Sequence, residues 1–181
     1  MILNAKQNQF AIYFPKHFFY PEVIDKWSPI IQRFKLPFKE VSDYVNSTIQ
    51  SIAWPSLDFP IVEQQQSQFN TKYKAGKEME PLFDKTMTVT FKLSEGFVSY
   101  WIWFDQIAKF LEYANQKPCF MDPLFVSFLD NNGFALMDFN FKELTPSNLS
   151  QFEISYSNVV ADFSTISVTF KYNRFDIKSQ F

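Results

Sequence analysis

Alternation of apolar and polar residues is clearest in the second half of the chain. From Thr86 to Leu93, apolar Met, Val, Phe and Leu alternate with Thr and Lys. A period of two is typical of a strand with one buried and one wet face. Asp130-Asn131-Asn132-Gly133 predicts a tight hairpin, because Asn and Gly accept positive φ. Further strands are predicted at Leu124–Leu129, Phe134–Lys142, Gln151–Ser157 and Asp162–Tyr172.

A helical period runs between Phe97 and Gln116. Its charged residues, Asp105, Lys109 and Glu112, share one side of the predicted helix. The apolar residues on the opposite side are Tyr100, Trp101, Phe104, Ile107, Ala108 and Leu111. We therefore expect this apolar face, Trp101 included, to pack on the core.

The first half of the chain is less regular. Phe10–Phe14 predicts a strand, Pro21–Trp27 a short helix, and Glu63–Lys77 an exposed, extended arm. A second helical face fits Val41, Tyr44, Val45, Thr48, Ile49 and Ile52. Without a repeat or a linker, residues 1–181 are predicted to form one α+β domain, with 1–80 as an N-terminal elaboration and arm, and 80–178 as the core. Its architecture is predicted to be a mainly antiparallel β-sandwich or barrel with one flanking helix.

Composition restricts the function classes. The chain of 181 residues is 46% hydrophobic and 20% aromatic, with 24 Phe and only 3 Gly, which disfavours a Gly-rich phosphate-binding loop. Seventeen Lys and Arg against 19 Asp and Glu give a net charge of −2, without the basic excess typical of nucleic-acid binders. No apolar run is long enough to predict a membrane span, and the start does not resemble a signal peptide. A single cysteine excludes an internal disulfide and favours a reducing compartment.

Catalytic and metal chemistry has few candidates. His17 is the single histidine and Cys119 the single cysteine, so neither a zinc site nor a convincing triad can be assembled. The loop at Asp130 lacks the spacing of a calcium-binding loop. We therefore predict no enzyme activity, no metal and no cofactor.

The wet faces of the predicted strands carry short hydroxyl side chains. They include Thr88, Thr90, Ser155, Ser157, Thr165, Ser167 and Thr169. Such side chains fit an ordinary solvated sheet. They also fit the lining of a wide channel, where bulky side chains would obstruct a passing polymer. The pattern alone leaves both interpretations open.

The run from Thr86 to Trp101, TMTVTFKLSEGFVSYW, resembles the strand–turn–helix signature of tail-tube proteins from contractile-tailed bacteriophages. The matching residues are Val89, Thr90, Phe91, Glu95, Gly96, Tyr100 and Trp101. The order of the downstream elements also agrees with the family. These elements are the segment 129–133, a turn-and-strand element from Phe139 to Ser157, and a closing strand from Ile166 to Ile177. The resemblance covers about Glu80–Lys178, and is looser at Trp54-Pro55, where Ser56 replaces the usual Gly.

This resemblance implies a structural virion protein. Six copies would form a ring whose sheets join edge to edge, and rings would stack into a tail tube that conducts DNA into the host without binding it specifically. The implied partners are further copies of the chain, the tail sheath, the baseplate and the tail terminator, with assembly in the host cytoplasm and location in the virion tail.

Three groups of residues receive roles from the resemblance. Phe91, Gly96, Tyr100 and Trp101 are implied to be structural. A ring-stacking arm is implied for Glu63, Gln64, Lys72, Lys74 and Lys77. Lumen-facing positions are implied for Thr88, Thr90, Lys92, Asp138, Asn140, Ser167, Thr169 and Lys171.

Alternative functions stay open on the sequence. A baseplate tube initiator or a tail terminator would share the fold but form one ring instead of many. A tube protein of a type VI secretion or contractile injection system would differ in its passenger. A small β-barrel that binds an apolar ligand could use the surplus of Phe, and predicts a monomer with an internal cavity.

Overall fold

Two antiparallel sheets carry the fold, and each buries one face of its alternating strands. The computed structural model describes residues 9–33, 38–56, 85–152 and 164–179, and the backbone of 62–66 and 69–73. Sheet A has the order β1 (Phe10–Tyr13), β6 (Leu124–Leu129), β7 (Ala135–Lys142), β10 (Arg174–Ser179). Sheet B has the order β2 (Ile49–Ala53), β5 (Thr86–Lys92), β9 (Thr165–Lys171), β8 (Thr145–Leu149). A separate hairpin pairs β3 (Val62–Gln66) with β4 (Phe69–Tyr73).

Three α-helices accompany the sheets in the described part of the chain: α1 (Pro21–Arg33), α2 (Val41–Thr48) and α3 (Val98–Gln116). Pro21 opens α1 at a position where proline's missing N–H costs nothing. A short 3₁₀ turn at Glu95–Phe97 leads into α3, with Gly96 at φ 69°. Glycine adopts this left-handed conformation at little cost, which explains its place between β5 and α3.

The core lies between the inner faces of both sheets and one side of α3. The two sheets contribute to a single cluster of buried side chains, with Val89 and Phe170 from sheet B and Val126 and Phe141 from sheet A among its members. Trp103 of α3 is fully buried at its centre. Its ring centroid lies 5.3 Å from that of Phe14, 5.0 Å from Phe91 and 5.7 Å from Phe170. Aromatic rings thus join strand β5, strand β9, helix α3 and the N-terminal segment.

Two side-chain amides attach the N-terminal segment to this core. The buried Gln106 donates from Nε2 to the carbonyl oxygen of Phe18 at 2.8 Å and accepts from the backbone N–H of Tyr20 at 3.0 Å. Asn46 of α2 accepts from the N–H of Phe14 at 2.9 Å and donates to its carbonyl at 3.1 Å. Beyond β1, these amides provide the backbone of the segment with hydrogen bonds that strand pairing would otherwise provide. The predicted N-terminal elaboration therefore shares the core.

Several predicted elements are confirmed. Strand β5 follows the predicted alternation, with Met87, Val89 and Phe91 buried. The hairpin at Asp130 forms as expected, with Gly133 at φ 85°. The Oδ1 atom of Asp130 accepts hydrogen bonds from the N–H groups of Asn132 at 2.7 Å and Phe134 at 2.8 Å.

Other predicted elements need correction. The helical face predicted through Ile52 ends at Thr48, and Ile49–Ala53 forms an edge strand of sheet B, which suits its β-branched residues. The turn predicted after Leu144 is strand β8, with a bulge beside Pro146. The pattern did not predict β10, and α1 extends six residues beyond the predicted Trp27, to Arg33.

The last two predicted strands are only partly as expected. Gln151 and Phe152 lie outside any strand, and the rest of the strand predicted through Ser157 lies outside the described residues. The final predicted strand is shorter than expected, because β9 begins at Thr165 and ends at Lys171. The sheets form a sandwich-like pair rather than a closed barrel.

The predicted orientation of α3 is only partly right: Tyr100 and Ile107 of the predicted face pack against the core, but its other large side chains do not. Val98, Ile102, Trp103 and Phe110 face the core, whereas Trp101, which we expected to be buried, is 44% exposed. Leu111 and Phe104 of the predicted face are also exposed. The helix is apolar over most of its circumference, so the sequence period could not decide which side packs inward.

We predict that Trp103→Ala will destabilise the protein by about 3–5 kcal/mol, because it leaves a cavity at the centre of the aromatic core. Trp101→Ala, two residues away, should cost less than about 1 kcal/mol of unfolding free energy. Urea unfolding of both variants measures the difference. Equal losses would contradict the placement of the two tryptophans.

Helix α1, together with Tyr20 just before it, contacts α3 at a partly exposed site. The rings of Tyr20 and Tyr113 lie 5.0 Å apart, and the Tyr113 hydroxyl donates to Glu22 at 2.6 Å. Asp105 of α3 accepts from Lys26 at 2.6 Å and from the indole N–H of Trp27 at 2.7 Å. Burial raises the pKa of Tyr20 from 10.0 to about 12.

The raised pKa of Tyr20 predicts a loss of stability at alkaline pH. The unfolded chain releases this proton near pH 10 and the folded chain near pH 12. The stability that the neutral Tyr20 hydroxyl contributes is therefore fully present below pH 10 and is lost as the pH rises towards 12. Urea unfolding across this range should give a shallower decline for Tyr20→Phe than for the natural chain. Parallel declines would show that Tyr20 does not contribute.

Candidate functional site

The outer face of sheet B is a field of short hydroxyl side chains. Strands β5 and β9 pair Thr88 with Thr169 and Thr90 with Ser167. The paired hydroxyl oxygens lie 2.9 Å and 3.1 Å apart. These side chains are half-buried by their neighbours in the sheet. The paired hydroxyls therefore form an ordered, uncharged surface along the two central strands.

The strand register extends this surface to both edges of the sheet. The positions that share the outer face are Ser51, Ala53, Thr86, Thr88, Thr90, Lys92, Thr145, Asn148, Thr165, Ser167, Thr169 and Lys171. None of them is aromatic or acidic. Lys92 stands opposite Thr165 and Lys171 opposite Thr86, at the two ends of the β5–β9 pair. The middle of the face is neutral and its two charges lie at the ends of the strands.

The outer face of sheet A has a different character. Tyr13 and Phe125 share one row with Asn140, and Ser127 donates to Asp138 at 2.5 Å. An ion pair joins Lys142 to Asp176 at 2.5 Å. This face is therefore aromatic and charged, whereas the middle of the outer face of sheet B carries small, uncharged side chains.

The structure divides the predicted lumen set between two surfaces. Thr88, Thr90, Lys92, Ser167, Thr169 and Lys171 lie together on sheet B. Asp138 and Asn140 lie on the outer face of sheet A. The inner faces of the two sheets share one core, so their outer faces point away from each other. One monomer therefore cannot present all eight residues on a single face.

The four sheet edges are not equivalent. At one edge of sheet B, β8 contains Pro146, which has no N–H to donate, and a bulge interrupts its pairing. At the opposite edge, β2 is bulged near Ile49. In sheet A, β10 pairs regularly with β7 along its whole length. Each sheet has four alternating strands, so its two edge strands run in opposite directions.

A groove lies between α3 and the edge strand β8. Its cavity has a volume of about 520 Å³. Phe152, just beyond β8, packs on Tyr100 and Phe97, with ring centroids 4.7 Å and 4.8 Å apart. Because Tyr100 also lines the groove, one end of the groove lies near the start of α3. Its lining carries no charge and consists of Tyr100, Phe104, Ile107, Ala108, Leu111, Pro146, Ser147, Asn148 and Leu149.

A second, smaller cavity lies between α1 and α3. Its volume is about 250 Å³ and charged side chains dominate its lining, Lys26 and Asp105 among them. Lys109, on the same side of α3, pairs with Glu112 at 2.6 Å, and this hydrogen bond raises the pKa of Lys109. These groups already pair with one another, and the arrangement holds α1 against α3.

The remaining predicted site residues have distinct surroundings. Phe91 is fully buried, Gly96 has positive φ, and Tyr100 is half-buried. The predicted arm contains a backbone hairpin, in which Glu63 stands opposite Lys72 and Gln64 opposite Thr71. Lys74 and Lys77 lie outside the described residues.

Metal and membrane sites find no support in the described ranges. Within them, no three His, Cys, Asp or Glu side chains come together as metal ligands could. No helix among these residues combines the length and apolarity needed to span a membrane.

Comparison with known proteins relates the fold to contractile assemblies. No family model and no curated protein sequence matches the chain. A chain in the 6-fold symmetrised cryo-EM structure of the anti-feeding prophage baseplate aligns with a TM-score of 0.59 and 8% identity, covering 99% of this chain and 98% of that one. A chain in the structure of the anti-feeding prophage tube-terminating cap gives 0.57 and 11%, covering 99% and 93%.

A third comparison extends the same result. A chain in the sheath–tube complex of an extracellular contractile injection system in its extended state gives a TM-score of 0.53 at 10% identity, covering 97% of this chain and 92% of that one. The resemblance to tail-tube proteins is thus confirmed at the level of the fold. The groove and the unequal sheet edges were missed by sequence reasoning, since both depend on which strands become neighbours.

We predict that the hydroxyl face of sheet B contributes little to folding. In the double variant Thr88→Val/Thr169→Val, both partners of one hydrogen bond become apolar groups of the same shape, which is often close to neutral. The expected change in unfolding free energy is within about 1 kcal/mol, measured by urea unfolding. A larger loss would mean that the hydroxyl pairs are structural.

Proposed function

We propose that this chain is a ring-forming structural subunit of the tube of a contractile tail or injection system. The observation that carries the proposal is end-to-end agreement with chains of such assemblies: the alignments cover 97–99% of this chain and 92–98% of theirs. The agreement therefore extends over nearly the whole of both chains and is not confined to one shared element.

The sheet topology supports ring formation. Because the two edges of each sheet run antiparallel to each other, a copy rotated about an axis parallel to the strands brings its β2 antiparallel to the neighbour's β8, and its β1 antiparallel to the neighbour's β10. A closed ring removes the exposed strand edges that are a liability in a monomer. We propose six copies per ring, as in the phage tail tubes that the sequence resembles.

The outer face of sheet B is our candidate for the lumen. Its central rows carry the paired hydroxyls of Thr88, Thr90, Ser167 and Thr169 and no aromatic side chain. A polymer sliding along such rows would meet neither large obstacles nor fixed charges. We propose DNA as the passenger, with Lys92 and Lys171 confined to the ends of the strands. Asp138 and Asn140 are then not lumen residues.

The hairpin formed by β3 and β4 is our candidate for the stacking arm. An isolated two-stranded hairpin is only marginally stable in water, and in the described residues this one pairs with no further strand. A neighbouring ring would supply the missing contact. The sheath, the baseplate and the terminator are the further partners that this role requires, in a virion tail assembled in the host cytoplasm.

A second candidate is a single-ring role, as a baseplate initiator or tube terminator. It is favoured by the fact that two of the similar chains come from a baseplate and a tube-terminating cap. This protein would form rings with the same edge contacts but would not stack them.

The test is the oligomeric state of the purified full-length chain. We expect rings with a central hole, detected by light scattering after size exclusion and by negative-stain electron microscopy of the same fractions. Stacked tubes would support the main tube subunit, and single rings at high concentration the single-ring role. A chain that remains monomeric at every concentration, also with its own assembly's baseplate ring added as a nucleus, would contradict both.

A further inference from the structure

One side of α3 exposes large apolar side chains, which no other part of the chain that the structure describes covers. Trp101, Phe104 and Leu111 are 44%, 47% and 54% exposed. They lie three and seven residues apart, with Ala108 between the last two, and so form one stripe along the helix. On the opposite side of the helix, the core buries Ile102, Trp103, Gln106 and Phe110. The stripe continues into the groove between α3 and β8.

We infer that this groove receives the adjacent copy of the chain within a ring, and that Phe104 and Leu111 are its main contacts. The inference rests on the proposed ring. It adds that the joint at β8 is made chiefly by apolar side chains, and not only by a backbone ladder between strand edges.

The position of the groove selects the adjacent copy as its occupant. Strand β8 is one wall of the groove and also an edge of sheet B. A neighbour that approaches this edge with its own β2 must therefore extend over the groove. The bulge in β8 and the missing N–H of Pro146 limit the hydrogen bonds that the edge can offer. Another source of binding energy is needed there, and the apolar wall of α3 provides one.

The size and chemistry of the patch agree with this occupant. The three exposed side chains present about 300 Å² of apolar surface, against about 800 Å² that each partner buries in a stable interface. The patch is therefore too small to hold a dimer alone, but it is sufficient as the apolar centre of a contact that also includes a sheet edge. Its lining has no charged residue, so it favours a partner surface that is uncharged. The edge strand β2, Ile49–Ala53, carries no charged residue either.

The test compares variants of the same helix in the full-length chain. Phe104→Ser/Leu111→Ser removes the two most exposed apolar groups of the groove. We expect this variant to need at least about tenfold more protein than the natural chain for half-maximal ring formation, the effect of losing central interface contacts. Glu112→Gln changes the charged side of α3 and should assemble like the natural chain. Phe134→Ser removes an aromatic that is 69% exposed but lies at a hairpin tip, and should also form rings normally.

Unfolding curves separate assembly from folding. Both altered side chains are exposed, so the serine variant should unfold at the same urea concentration as the natural monomer. Normal ring formation by the serine variant would overturn the inference and leave the proposed ring function intact. Failure of the natural chain to form rings at any concentration, also with its own assembly's baseplate ring added as a nucleus, would overturn both. A natural monomer that retains a small apolar molecule, lost in the serine variant, would also overturn the inference and assign the groove to a ligand.

Discussion

The structure depends on one constraint: a single hydrophobic core must fill the space between two sheets and a helix, and on the side of sheet B this core is an aromatic group around Trp103. Trp103 lies within 6.0 Å of the rings of Phe14, Phe18 and Phe91, and Phe170 lies at a similar distance. Such rings bury much surface while using few rotatable bonds. Because they come from the N-terminal segment, β5, β9 and α3, no one of these elements can keep its position without the others.

This constraint explains the polar contacts around the core. The N-terminal segment brings Phe14, Phe18 and Phe19 inward, and its backbone leaves sheet A to do so. The amides of Asn46 and Gln106 then bind the backbone groups that have lost their strand partners. Buried backbone groups need such partners. The placement of two long-range amides at this point follows from the depth to which the segment is drawn into the core.

Sequence reasoning succeeded where each residue's environment follows from its neighbours along the chain. The alternation of β5 and β9 shows which side chains are buried, because a one-residue shift would expose all of them. It failed where tertiary contacts decide. Helix α3 has apolar residues on two sides, and only the packing of Trp103 selects the inner one. Strand β10 has just two apolar side chains at its centre, Phe175 and Ile177. It forms because its backbone can pair with the edge of β7.

The candidate site follows the same division. The hydroxyl rows of β5 and β9 could be predicted from their period, but their separation from Asp138 and Asn140 required the sheet order. The groove joins residues near 104 to residues near 147, a proximity that no local pattern contains.

The two apolar sides of α3 have different physical consequences. The inner side is needed by every copy in order to fold, so its side chains are fixed by the cluster around Trp103. The outer side is free of that demand, and exposing Phe104 and Leu111 to water is unfavourable in a solitary monomer. This side of α3 carries an apolar stripe where polar residues could have stood. The stripe lies beside the edge strand β8, and Pro146 makes that edge a poor template for strand addition. In the proposed ring the two features would compensate each other, because the neighbouring copy would cover the stripe and the edge together.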